Sequence, residues 1–202
     1  MRLYPVLKRA MDITASAIGL LLLSPLLLGV ALWVKLDTPG PVFFRQERVG
    51  RHGQPFRIHK FRTMVADAPQ RGAQITVGAD ARITRAGQWL RGRKLDELPQ
   101  LIDVLQGTMS LVGPRPEVPR YVALYPAEVR AEVLSVRPGI TDLASIEFRR
   151  ENELLAAAAD PEREYVQVVM PQKLRYARAY VQQASLLGDL QLIWRTVRVL
   201  VS

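Results

Sequence analysis

The chain has 202 residues, contains no cysteine, and carries 28 Lys and Arg residues against 19 Asp and Glu residues, for a net charge of +9. This length suits one catalytic domain with its own hydrophobic core and leaves no room in the chain for a second enzyme domain. The absence of cysteine excludes disulfides and thiol chemistry. The basic balance favours an anionic partner: nucleic acid, an anionic membrane or a phosphorylated substrate.

An uncharged segment covers residues 13–34 and has Ser24-Pro25 at its centre. As a helix it would measure about 33 Å, enough to cross the apolar core of a bilayer. Proline removes a backbone hydrogen bond, so the sequence predicts a kink or a break at Ser24-Pro25 and two halves that are too short to span. Basic residues flank both ends, namely Arg2, Lys8, Arg9, Lys35, Arg45, Arg48 and Arg51. Because Lys and Arg favour the cytoplasmic side, both ends are expected on one face, as in a re-entrant hairpin.

A signal peptide and a buried soluble helix are the alternatives for this segment. The apolar stretch is long and lacks a clear small-x-small cleavage site, which argues against a signal peptide. The near-absence of polar residues argues against a buried helix of a soluble protein. Just before the segment, Lys8, Arg9 and Asp12 share one helix face. An interfacial ion pair and a contact to a lipid phosphate explain them equally well.

Two strands are predicted at residues 42–46 and 55–61, joined by a Gly-containing basic turn as a small β-hairpin. Lys60 and Arg62 lie at the end of this hairpin. They are either exposed strand charges or contacts to a substrate phosphate. Residues 65–84 are rich in Ala, Gly and Gln and are predicted to form a loop.

Two adjacent carboxylates, Asp96 and Glu97, stand at the predicted start of a helix that ends at Gly107. Asp96 is the predicted N-cap, and a capping acid with a solvated neighbour would explain the pair by itself. Many basic residues lie in Gly- and Pro-punctuated segments on both sides, namely Arg62, Arg82, Arg85, Arg91, Arg93, Lys94, Arg115 and Arg137. Two acids among so many bases indicate an anionic substrate.

The segment Gly113-Pro114-Arg115-Pro116 is predicted to be a rigid turn, because the prolines fix the backbone around one guanidinium. Arginine presents paired planar donors to phosphate oxygens, so Arg115 would suit a diphosphate. An ordinary turn with an exposed arginine is the alternative.

Four helices are predicted in the C-terminal part of the chain, at residues 126–136, 161–170, 172–183 and 186–201. The last one places a stripe of apolar residues on one side, beside two arginines. These residues are Leu190, Ile193, Trp194, Val197 and Val201, with Arg195 and Arg198 next to them. The stripe fits a core-packing helix and a helix in a membrane interface equally well.

Five motifs occur in a characteristic order: Lys-Phe-Arg-Thr-Met at 60–64, Leu-Asp-Glu-Leu-Pro-Gln at 95–100, Gly-Thr-Met-Ser at 107–110, Gly-Pro-Arg-Pro at 113–116 and Arg-Pro-Gly-Ile-Thr at 137–141. Their order and spacing resemble those of the bacterial sugar transferases, the monotopic phosphoglycosyl transferases. The resemblance implies an α+β, mostly helical fold. Residues 1–36 would be a re-entrant membrane helix broken at Ser-Pro. Residues 37–202 would be a compact catalytic domain with a small β-hairpin and interfacial amphipathic helices.

The resemblance also implies an activity: transfer of a phosphosugar from a UDP-sugar to a polyprenol (undecaprenyl) phosphate, with release of UMP. Asp96 would attack the sugar-side phosphate and Glu97 would hold Mg²⁺, although the sequence alone allows these two roles to be exchanged. The predicted substrate-binding residues are Lys60, Arg62, Arg91, Gln100, Arg115, Arg137 and Thr141. The predicted lipid and membrane contacts are Lys8, Arg9, Ser24 and Pro25. The protein would work at the cytoplasmic face of the inner membrane, as a monotopic enzyme and as a monomer or homo-oligomer.

Two other functions compete with this one. A non-catalytic membrane-surface module could use its bases for anionic lipids, but it would not explain the Asp-Glu pair. A nucleic-acid binder is weakest, because no basic stripe interleaved with exposed aromatics is present. The chain departs from the family pattern at Asp103, where Asn is common, and at residues 142–145, where Asp-Leu-Ala-Ser replaces Gly-Trp-Ala-Gln. The identity of the sugar is therefore not predicted.

Overall fold

The computed structural model describes residues 3–71 and 80–201, and this part of the chain is mostly helical with small sheets. The helices are α1 (Leu3–Asp37), α2 (Arg85–Gly92), α3 (Gln100–Gln106), α4 (Pro119–Val122), α5 (Ala127–Val133), α6 (Leu143–Glu147), α7 (Glu151–Ala156), α8 (Pro161–Glu164), α9 (Met170–Gln183) and α10 (Leu186–Val201). The strands are β1 (Phe43–Phe44), β2 (Glu47–Val49), β3 (Pro55–Arg57), β4 (Lys60–Phe61), β5 (Ser110–Val112) and β6 (Gly139–Thr141). Arg2 and residues 72–79 of the predicted loop at 65–84 lie outside the described residues.

Helix α1 continues through Pro25, so a break into two half-helices is wrong, whereas a kink at this position stays a prediction. Pro25 has no N–H with which to bond the carbonyl of Leu21, four residues earlier. The hydroxyl of Ser24 donates to that same carbonyl at 2.7 Å. The serine thus satisfies the acceptor that proline frees, a compensation that apolar helices in lipid also use. By length and composition, α1 is long and apolar enough to cross a membrane.

Helix α1 packs against the remainder of the protein at both of its ends. Near its start, the Asp12 carboxylate accepts the backbone N–H of Leu111 at 3.0 Å. At its end, the Asp37 carboxylate accepts the N–H of Ala86 at 3.0 Å. Between them, buried Val30 and Val34 join a core cluster with Phe61, Ala86 and Leu90. Apolar residues cover the outward side of α1, namely Leu21, Leu22, Leu28, Leu32 and Leu36.

The predicted β-hairpin is present as two short antiparallel ladders rather than two continuous strands. Strand β1 pairs with β4, and β2 pairs with β3. The tight turn between β2 and β3 contains two residues with positive φ, 58° at His52 and 77° at Gly53. The hairpin carries Lys60, on β4, towards the Asp-Glu pair.

Strands β5 and β6 form a parallel pair that the sequence interpretation did not predict. Their backbones approach closely at Gly113 and Gly139, where a β-carbon on either glycine would collide with the backbone opposite. This contact explains both glycines without any need for special backbone angles. It also brings the Pro-Arg-Pro turn, which follows β5, next to residues 141–145, which follow β6.

Residues 161–183 form one helical run, in which a π-helical turn at Tyr165–Val169 links α8 to α9. Two helices separated at Pro171 were predicted. The wider turn accommodates Pro171 at the start of α9, where its missing N–H is tolerated. This run contributes most of the C-terminal core cluster, which contains Val118, Tyr121, Val133, Leu155, Tyr165, Val169, Met170, Leu174 and Ala177.

The final helix, α10, has the predicted bounds and turns an apolar side outward. Leu187, Leu190, Trp194 and Val197 recur at helical spacing and are all exposed. Its opposite side contains Asp189, which is fully buried. Core packing and a membrane interface were the two predicted roles for the apolar stripe of this helix. Because Leu190, Trp194 and Val197 are exposed, they do not pack in the core.

Candidate active site

Asp96 and Glu97 lie in a single 3₁₀ turn, Leu95–Glu97, between α2 and α3. The turn follows Lys94, whose φ of 57° is unusual for a residue with a side chain. The prediction that Asp96 is an N-cap is wrong, because Asp96 lies inside the 3₁₀ turn, Lys94 occupies the cap position of that turn, and Pro99 occupies the cap position of α3. A cap at this position would need the N–H groups two or three residues on, and one of them is missing at Pro99. The carboxylate of Asp96 is therefore not used to start a helix.

Glu97 is held by two cations from different segments of the chain. Lys60 Nζ donates to Glu97 Oε1 at 2.6 Å. Arg115 donates to both carboxylate oxygens, with Nη1 lying 3.1 Å from Oε2. Burial by itself would raise the pKa of Glu97, but Arg115 and Lys60 hold that pKa well below its usual range. In return, Glu97 raises the pKa of Arg115.

Asp96 is buried beside this cluster, with 8% of its surface exposed. Its Oδ1 atom has no hydrogen-bond partner. Burial raises the pKa of Asp96; Lys60 opposes the shift and the charge of Glu97 adds to it. Glu97 is thus a stabilised anion, while Asp96 is the more basic carboxylate with a free oxygen. A carboxylate with an unpartnered oxygen can act as a nucleophile towards phosphorus when it is ionised.

Both carboxylates open into a cavity of about 570 Å³. One wall is basic and contains Arg48, Lys60, Arg91, Lys94 and Arg115. The other wall is largely aromatic and aliphatic and is formed by α4, α6, α7, α9 and α10. Of the predicted substrate-binding residues, Lys60, Arg91, Arg115 and Thr141 line this cavity. Arg91 Nε donates to Thr63 Oγ1 at 2.9 Å, and Thr141 shares a 2.6 Å hydroxyl hydrogen bond with Thr196 of α10.

Three other predicted substrate-binding residues lie within the described part of the chain but do not line the cavity. Arg62 is buried and donates to the carbonyls of Val34, Thr38 and Pro41, so it closes the C-terminal end of α1. Arg137 Nε donates to the carbonyl of Gly107 at 2.8 Å. Gln100 is buried at the start of α3. Arg62 and Arg137 therefore have structural contacts. The buried Nε2 atom of Gln100 has no hydrogen-bond partner, and a substrate contact of Gln100 stays a prediction.

The predicted lipid-binding residues Lys8 and Arg9 have partners within the protein. Lys8 Nζ lies 2.8 Å from Oδ2 of buried Asp189, which joins α1 to α10. Arg9 donates to the carbonyls of Val104 and Leu105 at the end of α3. The ion pair envisaged for this face therefore forms, but with Asp189 rather than Asp12. A contact of Lys8 or Arg9 to lipid phosphate stays a prediction.

Three residues that the sequence analysis did not assign to the site hold the Pro-Arg-Pro turn in place. Arg48 donates to Glu117 Oε1 at 3.2 Å and to the carbonyl of Pro116 at 3.0 Å. Asp142 Oδ2 accepts the backbone N–H of Arg115 at 3.2 Å. Glu117 directly follows the turn in the sequence, and this position was the signal that could have assigned it to the site. Arg48 had been counted only as a flanking positive charge.

Asp103, one of the departures from the family pattern, is buried away from the cavity lining. Its Oδ2 accepts the backbone N–H of His59 at 2.8 Å, and its Oδ1 lies 2.7 Å from His59 Nδ1. This pair ties α3 to the hairpin. The substitution at position 103 therefore belongs to the scaffold of the described structure.

The carboxylates of Asp96 and Glu97 would bind Mg²⁺ only together with oxygen atoms of a substrate. No group of three or more His, Cys, Asp or Glu side chains suited to a metal occurs within residues 3–71 and 80–201. Mg²⁺ is commonly held by one or two carboxylates together with substrate phosphates. Glu97, which already attracts two cations, and the unpartnered oxygen of Asp96 fit that arrangement.

Curated relatives match the chain over almost its whole length. It is 39% identical over 202 residues to the UDP-N-acetylgalactosamine-undecaprenyl-phosphate N-acetylgalactosaminephosphotransferase of Aeromonas hydrophila, covering 99% of this chain and 45% of that protein. It is 42% identical over 194 residues to the UDP-glucose:undecaprenyl-phosphate glucose-1-phosphate transferase of Caulobacter vibrioides, covering 94% and 68%. A relative of the same name from Escherichia coli is 37% identical over 195 residues, covering 95% and 39%.

The chain thus spans less than half the length of the Aeromonas and Escherichia relatives, and about two thirds of the Caulobacter one. The family model described as bacterial sugar transferase matches residues 3–202. That range contains the carboxylate pair, the basic wall of the cavity and the long apolar helix. The chain therefore belongs to the bacterial sugar transferase family.

Proposed function

We propose that this protein is a membrane-associated phosphoglycosyl transferase that moves a phosphosugar from a UDP-sugar to a polyprenol phosphate, such as undecaprenyl phosphate, and releases UMP. The observation that carries this proposal is the buried Asp96 with its free oxygen, beside a Glu97 that two cations hold ionised. The names of the relatives support the class of donor and acceptor. The reaction would be the first membrane step in the assembly of a glycan, for example an exopolysaccharide, an O-antigen or a glycoprotein.

The reaction runs in two displacements at one phosphorus atom. A carboxylate oxygen of Asp96 bonds to the sugar-side phosphorus, the bond from that phosphorus to the bridging oxygen breaks, and UMP leaves. An oxygen of the polyprenol phosphate then bonds to the same phosphorus and releases the Asp96 carboxylate. The raised pKa of Asp96 suits this role, because a more basic carboxylate is a better nucleophile once it is ionised.

Lys60 and Arg115 position the diphosphate. Both now neutralise Glu97, and both line the cavity, so their N–H groups can turn to phosphate oxygens when a substrate enters. Phosphoryl transfer depends mainly on such positioning and charge stabilisation. Mg²⁺ held by Glu97 and the substrate phosphates would neutralise the diphosphate oxygens further.

We propose that α1 enters one leaflet of the inner membrane from its cytoplasmic face and that both ends stay on that face. Support comes from the contacts of Asp12 and Asp37, which tie the two ends of α1 to one catalytic domain. The outward leucines of α1 would then face lipid. The exposed stripe of α10 adds Trp194, whose ring lies 4.4 Å from the guanidinium carbon of Arg198, a combination suited to a membrane interface.

The two-step reaction is tested by intact-protein mass spectrometry after mixing with UDP-sugar and Mg²⁺ in the absence of lipid. The wild type should gain the mass of a phosphosugar, and Asp96→Asn should gain nothing while remaining folded and membrane-bound. Steady-state kinetics should follow a ping-pong pattern. Sequential kinetics with no adduct at any time would contradict the covalent step. Binding to anionic vesicles without turnover of any UDP-sugar would favour the non-catalytic membrane module instead.

A further inference from the structure

Two buried hydroxyls on the cavity lining have no hydrogen-bond partner. They are Oη of Tyr121 on α4, a residue with 3% of its surface exposed, and Oγ of Ser145 on α6. Leaving a buried hydroxyl unpaired is unfavourable, and most buried polar groups in proteins are paired. Two such groups in the cavity that also holds Asp96 point to a ligand that supplies the missing partners.

Contacts between lining residues run from Tyr121 to Phe148, three residues after Ser145, and we name this group with its neighbours the aromatic chamber. Its members are Tyr121, Ser145, Phe148, Asn152, Tyr165 and Lys173. The rings of Tyr121 and Tyr165 have centroids 4.8 Å apart. Lys173 Nζ lies 5.1 Å from the centroid of Tyr165 and 6.0 Å from that of Phe148, which follows Ser145 by one helical turn. These contacts join α4, α6 and α9 around the chamber.

Hydrogen bonds through Asp142 connect the aromatic chamber to the reacting groups. Asp142 Oδ1 accepts the backbone N–H of Ser145 at 2.7 Å, and its Oδ2 accepts the backbone N–H of Arg115 at 3.2 Å. A donor whose diphosphate lies between Arg115 and Asp96 would therefore extend one of its two ends towards the chamber. That end is either the uridine or the sugar.

The rings of the aromatic chamber favour the sugar over the uridine as the occupant, because other protein groups already contact these rings. Tyr121 has the Arg120 guanidinium 4.7 Å from its ring centroid, in addition to its contact with Tyr165. Tyr165 and Phe148 share the ammonium of Lys173. A flat base stacks best on a free ring face, whereas the groups left free here are hydroxyls.

We propose that the aromatic chamber is the subsite for the sugar ring of the donor, and that Tyr121 Oη and Ser145 Oγ hydrogen-bond to its hydroxyl or acetamido groups. The inference rests on the proposed function and adds to it the residues that select the sugar. Ser145 belongs to the segment 142–145, which the sequence analysis expects to differ from other members of the family.

The test removes each hydroxyl and keeps the remaining shape, with Tyr121→Phe and Ser145→Ala. Each variant should raise the KM for the preferred UDP-sugar about tenfold, as expected for one lost hydrogen bond, and should narrow the preference between epimeric UDP-sugars. Inhibition by UMP, which lacks the sugar, should not change. Melting temperatures without substrate should not fall, because the hydroxyls lack partners in the free protein. Tyr176→Phe and Ser135→Ala, which remove hydroxyls outside the cavity lining, are the matched controls and should keep wild-type KM values.

Unchanged KM and sugar preference in both variants, with active wild-type protein, would overturn the subsite and leave the proposed function standing. Weaker inhibition by UMP in parallel with the higher KM would assign the chamber to the nucleoside and likewise overturn the proposal. If the wild type turns over no UDP-sugar and forms no phosphosugar adduct, the proposed function fails, and the sugar subsite fails with it.

Discussion

Asp96 and Glu97 are neighbours in the chain, yet their carboxyl groups have different surroundings. Glu97 accepts hydrogen bonds from Lys60 and Arg115, whereas Asp96 keeps one oxygen without a partner. The pKa of Glu97 is lowered and that of Asp96 is raised. An adjacent pair in a sequence does not reveal which member has which role. The contacts of Lys60 and Arg115 favour Asp96 as the nucleophile and Glu97 as the metal ligand.

The raised pKa of Asp96 predicts the acid limb of the pH profile for adduct formation. Protonation removes the nucleophile, so the rate should fall as pH decreases through a pKa above the ordinary aspartate value of about 3.9. Rapid-quench measurement of the phosphosugar adduct checks this, with circular dichroism at each pH as the control for folding. Glu97→Gln should move the limb to lower pH, because it removes a charge that raises the pKa of Asp96. A rate that stays constant down to pH 4 would exclude Asp96 as the titrating nucleophile.

The engagement of Glu97 by Arg115 predicts a competition between the arginine and the metal. In Arg115→Gln, Glu97 loses a cationic partner, so Mn²⁺ used as a probe for Mg²⁺ should bind the substrate-free protein several-fold more tightly. Turnover should nevertheless fall, and Arg115→Lys should also lose much activity because lysine lacks the paired planar donors. Electron paramagnetic resonance of free Mn²⁺ measures the affinity. Arg178→Gln, which removes an exposed partner of Glu132, is the control. Equal or weaker Mn²⁺ binding in Arg115→Gln would contradict the competition.

At the scale of the elements, patterns that depend on neighbouring residues were predictable and contacts between distant residues were not. The bounds of α10 and the existence of the hairpin follow from local periodicity and turn residues. The parallel pair of β5 and β6 was missed, because it joins short strands far apart in the chain and is stabilised by the approach of Gly113 to Gly139. Similarly, Arg62 lies within the motif at 60–64, but its side chain donates to a backbone carbonyl at the end of α1.

Proline was the other source of error at this scale. Pro25 was predicted to kink or break a helix and Pro171 to separate two helices, yet each proline lies within a helical run. Ser24 supplies the hydrogen bond that Pro25 cannot make, and a π-helical turn precedes Pro171. Each proline does lack the N–H that would donate a helical hydrogen bond, as the predictions assumed. A side-chain hydroxyl or a local change of helical pitch compensates, and neither compensation is evident from the residue pattern.

In the molecule as a whole, the long helix and the catalytic domain are one packed unit rather than an anchor joined by a linker. Lys8 joins α1 to Asp189 of α10, and Arg62 joins the other end of α1 to the hairpin. Both α1 and α10 have an exposed apolar side. Other residues of α10 line the cavity. Under the proposed function, an acceptor lipid would reach the cavity beside a helix with an exposed apolar side.

This arrangement predicts the topology, because a domain tied to both ends of α1 cannot have those ends on opposite sides of a bilayer. The chain has no cysteine, so single cysteines can be introduced for labelling. Leu3→Cys and Pro39→Cys should react with an impermeant maleimide from the same side of sealed vesicles. Leu28→Cys, on the outward side of α1, should react only after detergent is added. Labelling of the two ends from opposite sides would refute the one-leaflet arrangement.

The same assay separates the contribution of the Ser24-Pro25 pair from that of the contacts at the ends of α1. Ser24→Ala together with Pro25→Ala restores an ordinary backbone hydrogen bond to Leu21 and removes the constraint of the proline ring. An apolar helix of this length without the proline exceeds the thickness of the hydrocarbon core and should favour crossing. We therefore expect part of the double variant to show opposite-side labelling at positions 3 and 39. Unchanged same-side labelling would instead assign the topology to the contacts of Asp12 and Asp37 with the catalytic domain.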